Sequence, residues 1–138
     1  MQSDSSRPDS TSRRLKVLCI ESDSSILSAI ERTLRTRTRV ELLVASDGIR
    51  GTEMALEHRP DLVLTGLDVA GIGGEEVLAR LRVDPRTRSV PVIVSGDATA
   101  GASARLLGRG ALSYLPKPLD AGALAQAIDD GLELPAAA

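Results

Sequence analysis

Pro60-Asp61-Leu62-Val63-Leu64-Thr65-Gly66-Leu67-Asp68-Val69-Ala70-Gly71-Ile72-Gly73-Gly74 is the stretch whose reading decides the fold. Leu62 to Leu64 is a short apolar run between turn formers, which reads as a strand buried on both faces. A glycine-rich loop follows. Glu75-Glu76-Val77-Leu78-Ala79-Arg80-Leu81-Arg82 then places acids in a first turn and arginines in a last one, the order a helix dipole favours.

The same alternation runs through the chain on both sides of this unit. Leu15 to Ile20 reads as a strand, with Cys19 as a small core residue. Ser24 or Ser25 is placed to cap a helix reaching about Arg37, whose apolar face is Ile26, Leu27, Ile30 and Leu34. Val40 to Ala45 is a second strand, and Ser46 or Asp47 caps a helix to about Arg59. Asp84-Pro85-Arg86-Thr87-Arg88 is a turn. Val90 to Val94 reads as a strand ending at Ser95-Gly96. A helix over about Thr99 to Leu107 is stopped by Gly108 or Gly110. Leu112 to Leu115 is the last strand, Pro116-Lys117-Pro118 a tight corner, and Asp120 caps a helix lined by Leu124, Ile128 and Leu132. Five strands alternating with five helices predict a parallel sheet covered on both faces.

Composition narrows the function classes. With 138 residues there is one domain with a sizeable core, and a net charge of −2 does not suggest nucleic acid or a membrane surface as partner. No run is long enough to span a bilayer and no signal peptide is evident. The single cysteine fits a reducing, cytoplasmic compartment. Tyr114 is the sole aromatic residue, so the core is aliphatic and no platform exists for stacking bases. Residues 1–14 read as a disordered polar tail, 15–132 as the domain and 133–138 as a C-terminal tail. No output domain follows Leu132, so the domain is expected to act alone or to be cut from a longer chain. Arg32, Arg35, Arg37 and Arg39 read as a solvated face complementing the helix dipole, and His58 as a surface residue without companion ligands. Gly71-Ile72-Gly73-Gly74 follows the third strand without a complete nucleotide-binding pattern.

The Pro60–Leu64 strand, the spaced glycines and Tyr114-Leu115-Pro116-Lys117-Pro118 resemble the receiver domain of bacterial response regulators. The resemblance runs from about Leu15 to Leu132. It implies a flavodoxin-like (βα)5 doubly wound sheet with strand order 2-1-3-4-5 and a crevice at the C-terminal ends of the strands. In that family the third strand ends in a phosphoryl-accepting aspartate, with Pro-Gly four and five residues later and Gly eight residues later. Ala70-Gly71 and Gly74 hold those places here, so the acceptor position falls on Gly66.

The resemblance also implies an acidic pair holding Mg²⁺ after the first strand, a Ser/Thr after the fourth, and a Lys before a cis proline after the fifth. Glu21 matches the first acid, Ser22 replaces the second, Ser95 (or Gly96) is the hydroxyl position, and Lys117 matches. Tyr114 matches the aromatic that reorients on activation. A serine hydroxyl is a poor substitute for a carboxylate on a hard cation. With nucleophile and ligand both lost, the expectation is a pseudo-receiver in phosphorelay signalling. It would be no enzyme, would need no cofactor, and would act by phosphorylation-independent protein contact. The alternative is a working receiver using Mg²⁺ and Asp68, phosphorylated by a histidine kinase. Lys117 is expected to be neutralised by Glu21 or Asp68. A histidine kinase, an output protein or a second copy would meet the fourth helix, fifth strand and fifth helix. Arg105, Arg109, Tyr114, Asp129 and Asp130 lie there.

Overall fold

The structure, a computed structural model, describes residues 14–97 and 99–134. The expected tails lie outside the described residues except for Arg14, Glu133 and Leu134. In chain order the elements are β1 (Leu15–Ile20), α1 (Ser24–Leu34), β2 (Val40–Ala45), α2 (Gly48–His58), β3 (Leu62–Gly66), α3 (Gly73–Val83), β4 (Val92–Gly96), α4 (Ala102–Gly108), β5 (Ser113–Pro116) and α5 (Ala121–Leu132). All strand pairs are parallel and the sheet order is β2-β1-β3-β4-β5. This is the flavodoxin-like doubly wound order, and its direction of winding changes between β1 and β3.

Period-two alternation divides the core into two layers. Val17, Cys19, Leu62 and Leu64 face α1 and α5, meeting Ile26, Ile30, Leu124 and Ile128. Leu18, Ile20, Val63 and Val92 face the other way, toward Ala55, Val77, Leu81 and Leu106. Every residue of β3 is buried, as the central strand of such a sheet requires. Each fully buried aliphatic side chain here contributes about 1.5–3 kcal/mol.

Several element ends differ from the sequence expectations, each for a local reason. Asp23, not Ser24 or Ser25, caps α1, accepting from the N–H and hydroxyl of Ser25. That helix ends at Leu34, because Arg35 N–H is shared between Glu31 and Arg32 carbonyls and the chain turns. β4 starts at Val92, since Pro91 has no N–H for the ladder. Gly101, at φ 79°, starts α4 at Ala102 and shortens it to seven residues. Asp47 and Asp120 cap α2 and α5 as the sequence suggests. Arg37 is not a solvated charge. Its Nε and Nη2 donate to the two carboxylate oxygens of Asp129, both at 2.8 Å, joining the turn after α1 to α5. The pair is mostly shielded from water, which favours a stronger contact than an exposed ion pair.

The loop after β3 returns so tightly that Gly74 N–H donates to Leu67 C=O at 2.9 Å. A Cβ on Gly74 would overlap the Gly66 carbonyl oxygen and lie 3.0 Å from Leu67 Cα. Both obstacles are backbone and cannot swing aside. Gly74→Ala is therefore expected to cost about 1–3 kcal/mol in urea unfolding. Gly108→Ala meets nothing within 4 Å. It should be neutral, or stabilising by up to about 1 kcal/mol. Equal effects from the two substitutions would contradict this account of the loop.

Candidate functional site

Parallel register brings the C-terminal strand ends together. Ile20 is level with Thr65, Gly66 with Ser95, and Gly96 with Pro116. Leu67 N–H donates to Ser95 C=O at 2.7 Å and Lys117 N–H to Gly96 C=O at 2.8 Å, fixing the rim of the crevice. The Lys117–Pro118 peptide is cis. Glu21, Ser22, Gly66, Ser95 and Lys117 thus stand on neighbouring strand ends, as the sequence expectation has them.

Glu21 turns its side chain inward and is only 5% exposed. Its Oε2 accepts the N–H groups of Ser22 and Asp23, each at 3.1 Å, while Oε1 is buried with no hydrogen-bond partner among the described residues. A Cβ placed on Gly66 would lie 2.5 Å from that Oε1 and 3.2 Å from Glu21 Cδ. The carboxylate fills the room that a side chain at 66 would need. Beneath it remains a cavity of about 10 Å³ bounded by residues including Cys19, Thr65, Ser95 and Leu115. That is space for about one water. Ser22 is exposed, and Thr65 spends its hydroxyl on the Gly66 carbonyl at 3.2 Å.

Lys117 is not neutralised as expected. It is half-buried and makes no ion pair with Glu21 or Asp68 among the described residues. The acid on its side is Asp23. The Asp23 carboxyl is held below the usual range first by Ser25 hydrogen bonds and, as the smallest cause, by the Lys117 charge. Both residues border an open crevice of about 500 Å³ that Arg32, Ile26 and Leu119 also line. Asp68 is exposed and lies toward Tyr114, whose hydroxyl is pushed up by burial and then by the Asp97 and Asp68 charges. That hydroxyl donates to the Asp97 backbone carbonyl. Among the described residues, no three Asp, Glu, His or Cys side chains converge to hold a metal ion.

The charges expected to meet a partner are engaged within the chain. Arg105 on α4 and Arg109 just past its end reach the two oxygens of Glu75 on α3, at 3.4 and 3.1 Å. Asp129 belongs to Arg37. Glu75 was readable only as a helix-start acid. Nothing local links Arg37 to a residue 92 positions on.

The family model described as response regulator receiver domain matches residues 17–129. The polar-differentiation response regulator DivK of Brucella anthropi is 30% identical over 105 residues, 75% of this chain and 85% of that protein. A protein-glutamate methylesterase/protein-glutamine glutaminase of Geobacter metallireducens is 31% identical over 76% of this chain but only 30% of its own length. Among solved structures, the receiver domain of the sensor histidine kinase PA1611 of Pseudomonas aeruginosa has a magnesium ion coordinated in its active-site cleft. It superimposes with a TM-score of 0.76 at 21% identity, covering 87% of this chain and 98% of that one. The chemotaxis response regulator CheY4 of Vibrio cholerae gives 0.76 at 22% identity, covering 86% and 99%.

Cys19 offers a direct check on the inward carboxylate environment. Its thiol is pushed up to about 12, mainly by burial and then by the Glu21 and Glu31 charges. A raised value keeps the thiol protonated and unreactive. Native protein at pH 8 should resist a disulfide reagent such as DTNB and react stoichiometrically once denatured. Rapid reaction of the native thiol would show that this layer is open.

Proposed function

Since the chain belongs to the response regulator receiver domain family, we propose that it is a pseudo-receiver, signalling through protein contact without accepting a phosphoryl group. Receiver domains are signalling modules of two-component systems and interact with histidine kinases and output proteins. The observation that carries the finer reading is Gly66 at the acceptor position, with the Glu21 carboxylate in the room of its missing side chain. Phosphoryl transfer asks a protein for an in-line acceptor and for cationic charge on the phosphoryl oxygens. Gly66 offers no acceptor. Ser22 adds no charge, and the remaining acid has one oxygen engaged by backbone N–H groups and the other buried. This donor set does not fit Mg²⁺, which needs several accessible oxygens in near-octahedral array.

The domain so proposed spans residues 15–132 and works in the cytoplasm, without catalysis of its own. Among the described residues no helix is long and apolar enough to cross a membrane. Its partner is a histidine kinase or output protein, or a second copy of the chain, and the surface read is that of α4, β5 and α5. Three contacts support a surface held in one state: Tyr114 tied to the Asp97 carbonyl, and Arg105 and Arg109 each tied to Glu75.

Incubation with acetyl phosphate and Mg²⁺, followed by intact mass measurement, should show no added phosphoryl group. A substantial base-labile gain that Asp68→Asn abolishes would establish the working-receiver alternative instead. For the partner surface, Arg105→Glu is the informative substitution, because its exposed link to Glu75 is worth no more than about 1 kcal/mol to the fold. It should weaken association measured by pull-down or sedimentation while leaving thermal unfolding nearly unchanged. Unchanged association would move the contact elsewhere.

A further inference from the structure

Glycine at a strand end is normally explained by backbone conformation or by close packing of main chain. Neither applies to Gly66. It lies within β3 with an ordinary strand backbone, outside the left-handed region that favours glycine. The three nearest atoms to its absent Cβ all belong to one side chain: Oε1, Cδ and Oε2 of Glu21, at 2.5, 3.2 and 3.3 Å. The room that glycine provides is room for a carboxylate.

We propose that Gly66 is a socket for Glu21, and that seating Glu21 there withdraws the acid at the end of β1 from the crevice where a divalent cation would need it. The loss at 66 and the place of the carboxylate are then one arrangement. Oε2 is held by two backbone N–H groups of the turn entering α1, which fixes the side chain's root. Oε1 is buried, has no hydrogen-bond partner among the described residues, and belongs to a side chain that borders the cavity with room for about one water. Ser22, next along the chain, is neutral and exposed, so nothing replaces the withdrawn charge. The family's magnesium chemistry and this donor set therefore disagree, for a reason beyond the count of missing acids. The acid that remains is turned away.

A consequence separates this from simple ligand loss: a substitution that adds no ligand atom should raise cation affinity. Gly66→Ala places a methyl 2.5 Å from Oε1, too close for both to stay, and drives the flexible end of Glu21 outward. In ¹⁵N-labelled protein without metal, the Ser22 and Asp23 amide resonances should move as their bonds to Oε2 break. Mn²⁺, used as a paramagnetic probe, should then broaden residues 21–23 at roughly ten-fold lower concentration than in the parent, since affinity for a hard cation follows ligand charge. Gly66→Ala combined with Glu21→Gln should broaden only as the parent does. Unmoved amides, or moved amides with parent-like broadening, would overturn the proposal.

If Gly66→Ala does not fold, the same question is put to stability with Glu21 removed first. Gly66→Ala combined with Glu21→Ala should fold, with a urea midpoint close to that of Glu21→Ala alone. A double variant that fails to fold where Glu21→Ala alone folds would overturn the socket. The inference rests on family membership but not on the phosphorylation outcome: amide shifts report the place of Glu21 whether or not the chain accepts a phosphoryl group.

Discussion

Between β3 and the loop that returns over it there is space for backbone and little else. Gly74 packs on the carbonyl of Gly66, and Gly66 packs on the carboxylate of Glu21. This close approach sets the depth of the crevice, because the β3–α3 loop is drawn against the sheet and its first residues are tied to β4 through Leu67 and Ser95. The rim that results is well determined by main-chain bonds. What it surrounds is an acid whose bonds run to backbone N–H groups at its own strand end.

The two ionisable groups that a receiver would engage around a phosphoryl group are here disengaged from one another. Glu21 is turned into the protein and Lys117 borders an outer crevice beside Asp23. Ile26 and Leu119 line both the small inner cavity and the outer crevice, so apolar side chains stand where the two spaces meet.

Legibility followed the range of the interactions concerned. Gly66 could be placed from its spacing to Ala70-Gly71 and Gly74, because that unit is local and its glycine at 74 answers a backbone collision. Aliphatic runs located all five strands, and the apolar faces of α1 and α5 were read from helical spacing. Cap choice was less legible: Asp23, Ser24 and Ser25 are all capable, and the winner depends on where β1 releases the chain. The start of α4 was placed too early, at Thr99, although Gly101 is a poor helix former; here it adopts a positive φ and leaves the helix to begin at Ala102. The seat of Glu21 could not be read at all. It depends on a void created 45 residues away in sequence, and a string of letters records no voids.

The Arg37–Asp129 pair has a consequence for how the molecule is made. It joins residues 92 positions apart, and α1 and α5 cover the same face of the sheet. During synthesis from the N-terminus, α1 can form early on Asp23 and its own turns, but Ile26 and Ile30 lack the neighbours Leu124 and Ile128 until the last helix has emerged. Contacts of such long sequence separation carry a loop-closure cost that is recovered only when they form. The opposite layer, built by α2, α3 and α4 on β1, β3 and β4, closes earlier, once Leu106 and Ala111 have emerged. Through the last stage of its growth a nascent chain therefore carries one finished face and one bare aliphatic face, and it is the bare face that a chaperone would be recruited to cover.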